Sequence, residues 1–361
     1  MEQGMITSGT YRFAAKSFSR RRHRLASAMM LLSVVTSGSL GLAASPAYRS
    51  GTVDNINWEV RFNHLTPSGP AMVCQVQDRK PGAFCDGSET KEAAKVSGVE
   101  DRLIEIMNMP EIRSVSLAYY SFSNSRIKRA LCEAAQKKDL HLRIYIDGSP
   151  ENVSSVEELR SCSKNVVIQP VGLGFGRYIQ HMKIFFASEM EDPRPLSQLT
   201  SEEAKQYAKS KAFAVSSSGN MSSYGTSLHF DNWLFLESEY SENVIQQNLC
   251  ALRSMDGQST TMDTRQQFAR DFANCRKRIA DAENKDLRFY AVPHGFENPQ
   301  PYQGYEDMIS AARQELMVAI HRLTTPRMYR PWLDAKKRGV RVSVILDDDT
   351  LRVGKEDGGA A

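Results

Sequence analysis

At 361 residues, with 41% apolar and 24% charged side chains, the chain has material for one large or two medium folded domains. That composition excludes wholesale disorder, a collagen-like repeat and a disulfide miniprotein. The formal net charge is +4, but Arg12, Lys16, Arg20, Arg21, Arg22 and Arg24 face only Glu2 within residues 1–47, so the remainder is close to neutral. Bulk charge therefore gives no argument for a nucleic-acid partner.

Taken in chain order, residues 1–47 read as a secretory signal peptide. Arg20–Arg24 supply a positive start, Leu25–Ala44 is apolar or small and uncharged, and Gly41-x-Ala43 and Ser45-x-Ala47 offer cleavage sites. The expected location is secreted or periplasmic. All six cysteines (Cys74, Cys85, Cys132, Cys162, Cys250 and Cys275) lie beyond this leader. Their even number suits an oxidising compartment, and sequential pairing closes the shortest loops. The alternative for a cysteine in an apolar helix pattern, such as Cys132, is a free buried thiol.

Residues 48–98 form an N-terminal extension, with a short alternating strand at Asn57–Phe62 and a loop carrying Cys74 and Cys85. From Val99 the rhythm becomes that of an α/β protein. The spacing of Val99, Leu103, Ile106 and Met107 predicts a helix over 99–109, and Ser114–Tyr120 reads as a strand. Ile127, Leu131 and Ala134/Ala135 predict a helix over 124–138, capped by Ser123 or Asn124. Leu140–Asp147 and Val166–Gln169 read as further strands. Helices between strands imply crossover connections, hence a mixed or parallel sheet flanked by helices.

Next comes Tyr178-Ile-Gln-His181-Met-Lys183-Ile-Phe-Phe186, read as an alternating strand with His181 and Lys183 on one face. An imidazole and an ammonium side by side suit phosphate chemistry, one as nucleophile or acid and the other as a grip on oxygens. A solvated strand face is the plainer reading of the same pattern. Residues 189–211 are polar and read as a surface loop. The strand Ala212–Val215 then runs into Ser216-Ser217-Ser218-Gly219-Asn220, whose hydroxyls and amide would make an oxyanion cradle, or simply a turn. Leu228–Glu237 reads as another strand carrying His229. Gly172–Gly176 precedes a strand rather than a helix, so it is not a dinucleotide fingerprint.

The strand–helix–strand unit returns about 200 residues on. Ser116–Arg126 and Leu140–Asp147 align with Met317–Arg327 and Val340–Asp347, pairing Ala118 with Ala319, Ser123 with Thr324, Arg126 with Arg327 and Asp147 with Asp347.

Together these residues resemble the phospholipase D superfamily, whose pattern is His-x-Lys, then an Asp, then Gly-Ser-x-Asn. His181-Met-Lys183 matches the first part, and Ser217-Ser218-Gly219-Asn220 the last, with Ser217 where Gly is usual. The resemblance covers roughly residues 95–350. It departs at Ser188, where the Asp would fall, with Glu189 adjacent. It implies an α/β, phospholipase D-like duplicated unit with the second copy incomplete, since a second His-x-Lys at the same spacing would fall near position 381. The domain reading is a signal peptide over 1–47, an extension over 48–98, a first repeat over 99–285 and the start of a second over 286–361.

The activity implied is phosphodiester hydrolysis through a phosphohistidine, without cofactor or obligatory metal. His181 would be the nucleophile, Lys183, Asn220 and Ser218 would bind phosphate, and His229 and Ser217 would contact substrate. Phospholipid head groups are the first substrate class, DNA or RNA the alternative, and a catalytically impaired phosphate-binding chain the third reading. A homodimer pairing two His181 sites is a possible assembly.

Overall fold

The computed structural model describes residues 48–63, 97–172, 180–227, 231–257, 264–279, 289, 300–320 and 326–346, all within the unit Ala44–Ala361. The leader, Cys74, Cys85, His229 and Asp347 lie outside the described residues.

The described residues open on a hairpin, β1 (Tyr48–Val53) against β2 (Ile56–Phe62). Asp54 and Asn55 make its turn at positive φ, as a two-residue hairpin turn requires. Helix α1 (Val99–Asn108) leads to β3 (Ser114–Tyr119), helix α2 (Ser125–Lys137), β4 (His141–Asp147), α3 (Val153–Arg160) and β5 (Val166–Val171). Asn124 caps α2, its side chain accepting from the Ile127 amide at 3.0 Å. Strand β6 (Ile184–Ser188), helix α4 (Ser201–Tyr207), β7 (Lys211–Ser217), β8 (Asn232–Glu239), α5 (Asn243–Arg253) and α6 (Thr264–Arg276) follow.

These strands form one eight-stranded mixed sheet in the order β1-β2-β8-β7-β6-β3-β4-β5. β3, β4 and β5 run parallel, and β6 joins them antiparallel along β3. The core strands are buried on both faces, because alternate residues serve different helix layers. Leu117, Phe185, Val215 and Trp233 pack with Leu103 of α1 and Leu131 of α2. Ala118, Phe186, Ala214 and Leu236 pack with Leu249 of α5 and Phe272 of α6. The architecture is thus α/β, a mixed sheet flanked by helices.

Three sequence expectations change. Residues 189–211 hold helix α4, set by a capping box in which the Glu203 amide bonds the Thr200 hydroxyl and the Glu203 carboxylate takes the Thr200 amide at 2.9 Å. The strand expected over 178–186 starts only at Ile184, and the one expected from Leu228 starts at Asn232.

Cysteines 132 and 162 form a disulfide, as do Cys250 and Cys275, both in the sequential pairing; Cys132 is not a free thiol.

The order helix, strand, helix, strand recurs in α7 (Gln300–Ala311), β9 (Glu315–Ile320), α8 (Pro326–Lys337) and β10 (Arg341–Leu346). β9 and β10 pair in parallel, as β3 and β4 do. Trp332 and Ala335 of α8 pack there with Ile309 of α7 and Val340. Among the described residues, no helix is long and apolar enough to cross a membrane.

Candidate active site

The site lies at one edge of the large sheet, where β3 and β7 end and β6 and β8 begin. Register dictates this: Ala118 near the end of β3 faces Ile184, Ile184 faces Ser216, and Ser217 faces Trp233. In sheets of this kind, the carboxyl ends of parallel strands are where ligands bind.

His181 and Lys183 sit in the extended segment entering β6. The Ser217 amide donates to the Lys183 carbonyl at 3.1 Å, so the segment is held against β7 although it is not strand. Lys183 is 8% exposed, and its Nζ lies 3.1 Å from His181 Nε2 and 3.2 Å from the His181 carbonyl. An ammonium only donates, so Nε2 is the acceptor here and the ring proton belongs on Nδ1. Burial pushes the Lys183 pKa down to about 8, with the carboxylate of Asp231 acting against that fall. Partial desolvation, and then the Lys183 charge, hold His181 below its ordinary value, although the residue keeps an exposed face. The pair is poised as a neutral imidazole beside an ammonium that gives up its proton easily.

Two elements support His181. The Asp147 carboxylate, 1% exposed at the end of β4, accepts from the Gln180 amide at 2.8 Å and the Ser149 amide at 3.0 Å. Burial raises the pKa of this group, while those amide bonds oppose the rise. The ring of Tyr120, one residue past β3, lies 5.5 Å from the imidazole at a tilt of 59°. The Tyr120 carbonyl accepts from Asn152 Nδ2 at 2.8 Å, which fixes the backbone there.

The predicted cradle follows β7. Ser217 Oγ donates to the Gly219 carbonyl at 2.8 Å, and Ser218 Oγ donates to Asp231 Oδ1 at 2.7 Å while accepting from the Asn232 amide at 3.0 Å. Gly219 is required by space, because a Cβ there would stand 2.4 Å from the Gly225 carbonyl oxygen and 2.9 Å from Asp231 Oδ2. Asn220 Oδ1 is buried without a hydrogen-bond partner among the described residues. The structure thus gathers His181, Lys183, Ser217 and Ser218 at one edge, with Asn220 on the loop that leaves it.

Sequence reasoning missed Asp231 and Tyr120. Asp231 is the acid whose charge acts on Lys183. Ser188, where that acid was sought, lies at the far end of β6, fully buried, with its hydroxyl 3.2 Å from Ser114 Oγ. Glu189 accepts from the Lys211 amide at 2.9 Å, also away from the site. The signal for Asp231 was its place just before β8, which pairs with β7 and so returns the chain to Ser218. The signal for Tyr120 was its place at the carboxyl end of β3, next to the start of β6.

No protein-family model matches the chain, and no curated protein matches it. Solved structures do. The chain is similar to a phospholipase D family member. That protein, Nuc from Salmonella typhimurium, is 14% identical, with a TM-score of 0.28 over 38% of this chain and 75% of that one. Polyphosphate kinase from Porphyromonas gingivalis is 18% identical, with a TM-score of 0.42 over 69% of this chain and 32% of that one. Phosphatidylserine synthase from Haemophilus influenzae Rd KW20 is 14% identical, with a TM-score of 0.40 over 68% of this chain and 59% of that one. The chain therefore spans about a third of the kinase's length.

Proposed function

We propose that this chain carries a phospholipase D-like phosphodiesterase site in which His181 is the nucleophile. The observation that carries the reading is the 3.1 Å contact between Lys183 Nζ and His181 Nε2, set in a sheet edge lined by Ser217 and Ser218.

An arriving phosphodiester takes over the Lys183 ammonium, which exchanges its bond to Nε2 for one to a phosphoryl oxygen. The Nε2 lone pair, freed by that exchange, attacks phosphorus. A P–N bond forms and the bond to the leaving oxygen breaks. Lys183, with Asn220 and with Ser218 once its hydroxyl turns from Asp231 to the phosphate, balances the charge on the equatorial oxygens. In-line displacement puts the acid that protonates the leaving oxygen opposite His181, and the reading assigns that place to His181 of a second copy of the chain. Water then attacks phosphorus, giving its proton to the histidine that had protonated the leaving oxygen; the P–N bond breaks, and His181 returns neutral. Ser217 and His229 are the proposed substrate contacts, His229 from its position in the sequence alone.

The proposed substrate is a phospholipid head group, because the region beyond residue 47 is near neutral and lacks the basic excess of a polyanion groove. The proposed location is outside the cytoplasm, where two disulfides persist.

The test is to incubate the protein with phosphatidylcholine and with single-stranded DNA, each in EDTA. Head-group release in EDTA is expected, with His181→Ala lowering kcat by about 10³-fold or more. Protein denatured in alkali, where a P–N bond survives, should carry a phosphoramidate absent from His181→Ala. Activity abolished by EDTA, or surviving in His181→Ala, overturns the reading; faster cleavage of DNA overturns the lipid assignment alone.

A further inference from the structure

The N-terminal hairpin lies far in sequence from the site, yet its last residue meets both arms of the loop that bears Asn220. Asn63 immediately follows β2 and is 2% exposed. Its backbone amide donates to the Asp231 carbonyl at 3.0 Å, extending the β2–β8 ladder by one bond. Its side-chain Nδ2 donates to the Gly225 carbonyl at 2.8 Å. The acceptor on Gly225 fixes the amide orientation, since the flipped amide would set two oxygens against each other.

Both contacts lead to groups of the site. Asp231 holds Ser218 Oγ and helps keep the proton on Lys183. Gly225 is packed so closely on Asn220 that a Cβ would fall 2.3 Å from the Asn220 carbonyl oxygen and 2.8 Å from its nitrogen. Trp233 Nε1 donates to the same Gly225 carbonyl at 3.2 Å, and the Ser97 hydroxyl bonds the Thr226 carbonyl at 2.9 Å. The turn 222–227 therefore stands on a buried polar footing to which the hairpin contributes. A buried carbonyl that loses one of its donors draws the turn out of place, and displacement of about 1 Å at a reacting centre costs about a hundredfold in rate.

We propose that Asn63 is a positioning residue for the Asn220–Asp231 loop, which makes the hairpin of residues 48–63 a working part of the active site. The proposal rests on the phosphodiesterase reading for its effect on rate, but not for its effect on the loop.

The experiment uses the full chain and three variants: Asn63→Ala, Asn63→Asp and, as a control in the same hairpin, Ile56→Val. Ile56 is fully buried in the apolar layer on the α5 face. Hydrogen exchange of the peptide spanning 218–227 and the kcat and KM for bis(p-nitrophenyl) phosphate are measured for each. Asn63→Ala should speed exchange in that peptide and lower kcat about tenfold or more, with KM within about twofold. Asn63→Asp keeps the volume but cannot donate to Gly225 when ionised, so its kcat should fall at least as far. Ile56→Val should leave both readouts at the wild-type level. Wild-type exchange in Asn63→Ala, or wild-type kcat in Asn63→Asp, overturns the proposal. A wild-type chain that cleaves no phosphodiester overturns the function reading, and exchange then decides the role of Asn63.

Discussion

Lys183 answers to opposing demands. In the proposed mechanism it is charged to hold a phosphoryl oxygen, yet it is buried against a histidine that the same mechanism needs neutral to attack phosphorus. Burial draws its pKa to about 8, and His181 lies below its ordinary value of about 6.5. Activity should therefore rise with pH as His181 loses its proton, with that limb centred below about 6.5, and fall again near 8 as Lys183 loses its own. The profile of kcat/KM against pH for the free enzyme checks this bell. Asp231 opposes the loss of the Lys183 proton, so Asp231→Asn should move the alkaline limb to lower pH. A single rising limb that continues past pH 9 would remove Lys183 from the role given to it.

At the scale of elements, the segment after β6 is locked to α5 and β4 by charge. Arg253 is 9% exposed in its side chain and pairs with Asp192 and, at 2.9 Å, with Asp256. Arg143 of β4 reaches Asp192 at 3.2 Å and Asp256 at 3.1 Å, and the Tyr145 hydroxyl donates to Asp256 at 2.6 Å. Burial tends to raise the Asp192 pKa, but the Arg253 hydrogen bond and charge, with Arg143 and Arg194, hold it below the usual range. Arg253→Met should cost about 2 kcal/mol in urea unfolding at pH 7, near the low end for buried charged partners because Asp192 reaches solvent. A depressed carboxylate stabilises above its unfolded pKa of about 3.9, and that contribution fades as pH falls through the folded value. The difference between wild type and variant should therefore shrink below pH 4. An undiminished difference at pH 3 would mean that lost packing, not lost charge, explains the cost.

On the scale of the molecule, the two disulfides tie helices within the layers that sandwich the sheet. Cys250 of α5 and Cys275 of α6 close a separation of 25 residues, and Cys132 of α2 and Cys162 one of 30. Loop-closure entropy assigns a bridge of this span about 3.5 kcal/mol. Replacing Cys250 and Cys275 together by serine should lower the unfolding free energy by about that amount in guanidinium titration. The sheet edge bearing His181 lies on other elements, so activity under native conditions should persist. A double variant as stable as the wild type would show that α6 is held by its apolar face alone, through Phe268 and Phe272.

Much was legible in the sequence, because the signals were local. Helical spacing placed α1 and α2, alternation and apolar runs placed β3, β4 and β7, and loop length ordered the described cysteines into their pairs. His-x-Lys and Ser-Ser-Gly-Asn pointed to the candidate site because each is a short run whose residues travel together. What the sequence could not give was anything that depends on strands far apart meeting. The start of β6 at Ile184 is decided by where its neighbours β3 and β7 end, and the identity of the acid near Lys183 by the β7–β8 pairing that carries Asp231 back to Ser218. Asn63 had no signal at all, since its partners stand 162 residues away at Gly225 and further still at Asp231. Local pattern fixes which elements form, because burial and capping act within a few residues. Which side chains share an edge is settled only by sheet order and register, and those belong to the folded chain as a whole.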